Sequence, residues 1–144
     1  EAEFLIITNP GDSFKPLIKI ASGGEISRIM LAIKAVLAEH DETPTLIFDE
    51  IDAGVSGRVA HVVGEQIREL AKHHQILCIT HLPQIASMGQ QHYRVDKYSK
   101  DNETFARITE LDPSERVQDI AALVGGQHPS DASLKTAEEL LNHS

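Results

Sequence analysis

Cysteine is nearly missing: one residue among 144, Cys78, inside the apolar run Gln75-Ile76-Leu77-Cys78-Ile79-Thr80. That excludes an internal disulfide framework, fits a reducing compartment and leaves a plain buried thiol as the simplest role. Basic residues are scarce as well, since 13 Lys+Arg face 22 Asp+Glu for a formal charge of −9. No basic footprint advertises nucleic acid and no polybasic cluster suggests an anionic membrane, so a DNA partner would be held by other segments. No apolar run approaches the roughly 18 residues that span a bilayer, and no signal-peptide pattern opens the chain. It therefore reads as cytoplasmic, with no membrane partner. The initiator Met is missing too, as in a piece excised from something longer. Finally, no Gly-x-x-x-x-Gly-Lys-Ser/Thr occurs, so the backbone cradle and lysine that hold β- and γ-phosphates are not present.

What is present supports one ordinary core: 41% hydrophobic content over this length buries roughly two-thirds of the unfolded surface. Residues 4–8 and 17–20 read as strands, separated by the turn signal Asn9-Pro10-Gly11-Asp12. Across 25–40 the apolar residues Ile26, Ile29, Met30, Ile33, Val36 and Leu37 recur at helical spacing, after a glycine-rich entrance Ser22-Gly23-Gly24. Apolar runs at 45–48 and 75–80 flank a helical pattern over about 56–73, and strand, helix, strand implies a right-handed crossover in a parallel sheet. Residues 82–88 suggest a short helix. Segments 92–98 and 104–111, joined by Ser99-Lys100-Asp101-Asn102-Glu103, read as an antiparallel hairpin at a sheet edge. Pro113-Ser114-Glu115 opens a helix that Gly125-Gly126 ends, and Ser130-Asp131 caps a last helix through Leu141. The expected class is α/β: a mainly parallel sheet flanked by helices, with an edge antiparallel hairpin.

Three features carry chemistry. Asp49 and Glu50 directly follow the apolar run at 45–48, at the end of a parallel strand where α/β folds bind ligands. An apolar strand ending in Asp-Glu suits a metal-holding Asp beside a water-polarising Glu, yet alone it equally suits a helix cap or a solvated loop. Ser22-Gly23-Gly24-Glu25 stands where a helix begins, where glycines admit close backbone approach and first-turn N–H groups favour an anion. By itself it is better explained by a tight turn. Thr80-His81 ends the second apolar strand in a group able to hydrogen-bond a phosphate or a water, although lone histidines are mostly structural. Asp52 either tunes the loop after the acids or faces solvent, the second being the favoured reading.

The order of these features, glycine-entered helix, strand ending in Asp-Glu, helix, strand ending in His, resembles the C-terminal half of an ABC-type ATPase head. Within that superfamily the chain is similar to the SMC-like ATPases of bacterial DNA double-strand-break repair, most strongly over residues 16–28, 46–57 and 78–84, and the likeness covers nearly the whole chain. Ala21 stands where transporters have Leu, as in the repair branch. Ser56 replaces the Asp usual in the D-loop, so no role is carried over to it.

The resemblance implies that residues 1–144 form the C-terminal lobe of an ATPase head, without Walker A or coiled coil, completed by the N-terminal lobe of the same protein. Two heads would form a homodimer around ATP, with Ser22, Gly23, Gly24 and Glu25 as the signature loop that reaches the nucleotide of the opposite head. Asp49 would hold Mg²⁺, Glu50 would activate water, and His81 would sense or stabilise the γ-phosphate. Hydrolysis would separate the heads and reset the grip of the full-length protein on DNA during repair and recombination at the nucleoid. Two alternatives stay open: a non-catalytic protein-interaction module, and a head lobe of another SMC or ABC-type repair protein. The missing P-loop predicts that the purified chain alone releases no phosphate from ATP with Mg²⁺. Robust Mg²⁺-dependent phosphate release would contradict that reading.

Overall fold

The computed structural model describes residues 3, 5–7, 11, 13–17 and 22–143. Phe4, Thr8 and residues 18–20 of the two expected strands, Asn9, Pro10 and Asp12 of the turn signal between them, and Ala21 lie outside the described residues. The chain divides into two compact units, Glu1–Val55 with Glu69–Thr80, and Ser56–Arg68 with His81–Ser144.

The first unit opens with a short antiparallel ladder between β1 (Leu5–Ile6) and β2 (Lys15–Pro16), in register Leu5 with Pro16 and Ile6 with Lys15. Helix α1 (Gly23–Leu37) follows. Ser22 is its N-cap, and Glu25 returns a side-chain bond to the Ser22 amide, a reciprocal capping box that satisfies two first-turn donors. Strand β3 (Thr45–Phe48) pairs in parallel with β4 (Gln75–Cys78), Thr45 opposite Gln75 and Phe48 opposite Cys78. The sheet is smaller than the sequence suggests: β3 and β4 form a two-stranded ladder.

Period-two alternation sets the faces of this ladder. Leu46 and Phe48 are buried, whereas Ile47 is 68% exposed on the other side, where Ile79 is 61% exposed. Helix α1 buries Gly24 and Leu31 but leaves Val36, Leu37, Ile26 and Met30 open. Apolar surface of this kind stays exposed in this chain although both the 3.6 and the 2.0 periods mark it for burial. Where α1 ends, Lys34 donates to Asp41 (2.5 Å), and Asp41 also accepts from the Thr43 amide (3.0 Å) and hydroxyl (2.6 Å). The Lys34 bond above all, then those from Thr43, holds the Asp41 carboxyl far below the usual carboxylate range.

The second unit takes most of α2 (Gly57–Leu70), whose buried Ala60, Val63 and Ile67 make an amphipathic stripe, and the short α3 (Pro83–Ala86). β5 (Tyr93–Lys100) and β6 (Glu103–Glu110) form the expected hairpin as a separate two-stranded sheet. Its connection is tighter than the sequence reading: Lys100 pairs with Glu103, so Asp101 and Asn102 alone make the turn, with φ of 53° and 65°. Two left-handed residues match the right-handed strand twist, and Asp and Asn tolerate that conformation best after glycine. Helices α4 (Pro113–Gly125) and α5 (Asp131–Asn142) start at the N-caps Asp112 and Ser130. They pack a core of Ile120, Ala121 and Ala137 with Val117, Leu123, Leu134, Leu140 and Leu141 around it. Arg116 donates to the Ser87 and Gly89 carbonyls (2.5 Å each), and His92 meets Asp119 at 3.1 Å.

Ile120 is fully buried at the centre of this helix pair. Ile120→Ala should cost about 2–5 kcal/mol of stability, read as a lower urea midpoint with an unchanged slope. A midpoint equal to that of the parent would show that α4 and α5 do not share this core.

Candidate functional site

Apart from His81, the residues singled out by sequence converge within the first unit. β3 ends at Phe48, and its chain continues into Asp49 and Glu50, both exposed. They do not cap the next helix, since α2 starts at Gly57 with no acid in its first turn. Instead the chain turns at once: Ala53 N–H donates to the Glu50 carbonyl (3.0 Å), and Glu50 itself sits in the left-handed region at φ 56°. For a residue with a Cβ that conformation costs about 1–2 kcal/mol, so neighbours must impose it.

Those neighbours are on α1. Ser27 Oγ donates to the Asp49 carbonyl (2.9 Å), and Arg28 Nη1 donates to the carbonyls of Ile51 (3.0 Å) and Ala53 (2.9 Å). Three alternate carbonyls of the loop are thereby tied to one helix turn. Gly24 makes the approach possible, since a Cβ there would lie 2.8 Å from the Glu50 carbonyl oxygen, 2.9 Å from the Ala53 Cβ and 3.0 Å from Arg28 Nη1. Such a group has no room. At Gly23 a Cβ would collide with the Glu50 carboxylate, so that side chain lies against the N-terminal turn of α1.

The first turn is itself ordered. Ser22 N–H donates to Glu25 Oε2 (2.9 Å), Ser22 Oγ donates to the same oxygen (3.2 Å), and Glu25 N–H donates to Ser22 Oγ (3.4 Å). The Ser22 backbone bond first, its hydroxyl second and the charge of Arg28 further hold Glu25 below the ordinary glutamate value. Gly23 and Gly24 occupy the positions whose N–H groups have no partner inside a helix, which is what an anion site at a helix start requires.

Asp52 does not face solvent, against the favoured sequence reading. It is 4% exposed and accepts a 2.6 Å hydrogen bond from Thr80 Oγ1, because the turn at Glu50 points it back toward the end of β4. Burial first, then the negative charges of Asp52 and Asp49, push the Cys78 thiol up to about 12, so it stays protonated at neutral pH. His81 opens the second unit, directly after Thr80, so the described site comprises Ser22, Gly23, Gly24, Glu25, Asp49 and Glu50 without it.

Among the described residues no group of three His, Cys, Asp or Glu side chains is placed to form a metal cage. Magnesium needs no such cage when phosphate supplies the other ligands: one or two carboxylates suffice. Asp49, exposed and with Oδ1 accepting the Glu50 amide (2.8 Å), fits that lesser demand. No helix among the described residues is long and apolar enough to cross a membrane. Sequence reasoning passed over Ser27 and Arg28. The available signal was two polar side chains, one turn beyond the glycines, on a helix otherwise rich in apolar residues.

Solved structures of similar fold place this architecture. A head of the Smc protein of Pyrococcus yayanosii with a coiled coil and joint superposes with a TM-score of 0.57 at 22% identity, over 94% of this chain and 25% of that one. A structure described as the structural biochemistry of ATP-driven dimerization and DNA stimulated activation of SMC ATPases gives 0.54 at 18% identity, over 86% of this chain and 81% of that one. The fold is that of an α/β SMC head. No family model matches the chain.

Sequence relatives narrow the class. DNA repair protein RecN of Xylella fastidiosa strain 9a5c is 49% identical over 139 residues, that of Haemophilus influenzae 45% over 139, and that of Bacillus subtilis 44% over 142. These matches cover 96–99% of this chain, and the chain spans about a quarter of the length of each relative, 25%. The chain belongs to the RecN family, as one region of such a protein.

The close contact at Gly24 predicts that Gly24→Ala costs on the order of 1–3 kcal/mol, measured by urea unfolding of the protein that carries this chain. Unaltered stability would mean that the acid loop does not press on α1.

Proposed function

We propose that residues 1–144 are the C-terminal lobe of an SMC-like ATPase head, acting in RecN-type repair of DNA double-strand breaks. The observation that carries this reading is the meeting of Glu50, which follows Asp49 at the end of parallel strand β3, with the Gly23–Gly24 turn of α1. A site for activating water and a site for receiving phosphate thus share one wall. The uncovered apolar residues Ile47 on β3, Leu77 on β4 and Ile79 just after it, and Val36 and Leu37 on α1, support a lobe that packs against further polypeptide, the N-terminal lobe bearing the P-loop.

In the complete homodimer, the hydroxyl of Ser22 and the N–H groups of Gly23 and Gly24 bind the γ-phosphate of ATP carried by the opposite head. The Ser22 hydroxyl proton, now shared with Glu25, turns toward phosphate oxygen. Asp49 would hold Mg²⁺, which when bound neutralises charge on the β- and γ-phosphates. Glu50, exposed at the end of β3, takes the proton of the attacking water. His81 is assigned to the γ-phosphate by resemblance. Nucleotide-driven closing and hydrolysis-driven opening of the heads would set how the full-length protein grips DNA, which this acidic region, at −9, is not suited to bind by itself.

Glu50→Gln in the complete protein should lower ATP turnover by about 100-fold or more while ATP binding and nucleotide-dependent pairing persist. Turnover equal to wild type would sink the role of Glu50. Failure of the parent to pair with ATP would favour a passive interaction module.

A further inference from the structure

We infer that Arg28 is the positioning residue that ties the phosphate-receiving turn of α1 to the water-activating Glu50, and so links the two nucleotide sites of a paired head. The inference rests on the ATPase reading above, in which Ser22 to Gly24 serve the nucleotide of the opposite head and Glu50 serves the nucleotide of its own. Two sites on different nucleotides then meet through one side chain.

The geometry behind it is specific. Arg28 Nη1 uses both of its N–H groups, one on the Ile51 carbonyl at 3.0 Å and one on the Ala53 carbonyl at 2.9 Å. Ser27 Oγ takes the Asp49 carbonyl at 2.9 Å, so Glu50 lies between two tethered peptide units. Its φ of 56° is one that a side chain resists, and a loop left to itself would relax out of it. The side chain of Arg28 reaches its partners by passing the bare Cα of Gly24, where a Cβ would stand 3.0 Å from Nη1. Movement of the first turn of α1 on binding phosphate is therefore felt at Arg28, less than two turns along a rigid helix, and through it at residues 51 and 53.

Lysine would not substitute. Its ammonium is a point charge on a flexible stem, without the planar fork that fixes both N–H directions. Arg28 touches neither phosphate nor water in this scheme, and its effect on Glu50 is one of placement.

The test compares Arg28→Ala and Arg28→Lys with the parent in the full-length protein. Arg28→Ala should lower kcat by about tenfold to a hundredfold, because a misplaced base costs that much, while KM for ATP and pairing driven by a non-hydrolysable ATP analogue each change less than about threefold. Arg28→Lys should fall between the two. Without nucleotide, the amides of Ala53 and Val55, which close turns on the Glu50 and Asp52 carbonyls, should exchange about tenfold faster in Arg28→Ala. Unchanged exchange at both amides overturns the role whatever the ATPase does. A wild-type kcat overturns it too, as do equal losses of turnover and pairing, which would make Arg28 a merely structural residue. If the parent shows the protected amides but never turns over ATP, the ATPase reading falls, and the link between two nucleotide sites falls with it.

Discussion

The close approach at Gly24 is the constraint on which the site depends. Helix α1 and the loop after β3 can touch only because no Cβ stands there, and once they touch, the hydrogen bonds of Ser27 and Arg28 become geometrically possible. Those bonds in turn hold Glu50 in a conformation it would not choose. A chain of cause runs from one missing methyl group to the direction of one carboxylate. Each link is short-range and within a single compact unit, which is why it can be exact although the first unit leaves much apolar surface uncovered.

Two kinds of surface coexist in the first unit. The acid loop is tightly determined: Asp52 is buried on the Thr80 hydroxyl, Ile51 is fully buried, and the Asp49 carbonyl is bonded. The outer faces of α1 and of the β3–β4 ladder are the opposite, with Val36 83% exposed beside half-open Leu37. The ordered loop and the open apolar faces thus lie within one compact unit of a chain that spans a quarter of the length of its relatives. The second unit is more self-sufficient, because α4 and α5 cover each other around Ile120 and Ala137.

Much of this was legible in the residues. Strand β3 coincides with the apolar run at 45–48, and Asp112, Ser130 and Ser22 cap helices where small polar residues precede helical periodicity. Capping and periodicity are local, so sequence carries them. The hairpin connection was less legible: five polar residues read as a loop, yet pairing continued through Lys100 and Glu103 because cross-strand bonds outweigh a preference for coil. The burial of Asp52 was misread for a related reason, since its partner Thr80 is 28 positions away and no local pattern announces a hydrogen bond across that gap.

The sequence by itself determined the α/β class, the order of elements, the glycine entrance of α1 and the acids at the end of β3, because those follow from periodicities and turn residues within a few positions. Only the tertiary structure decided that Gly23 and Gly24 press against Glu50, that Arg28 and Ser27 hold the carbonyls on either side of it, and that Asp52 turns inward. Such contacts join residues 22 to 28 positions apart, and their existence depends on how closely a helix and a loop can approach, a distance set by three-dimensional packing.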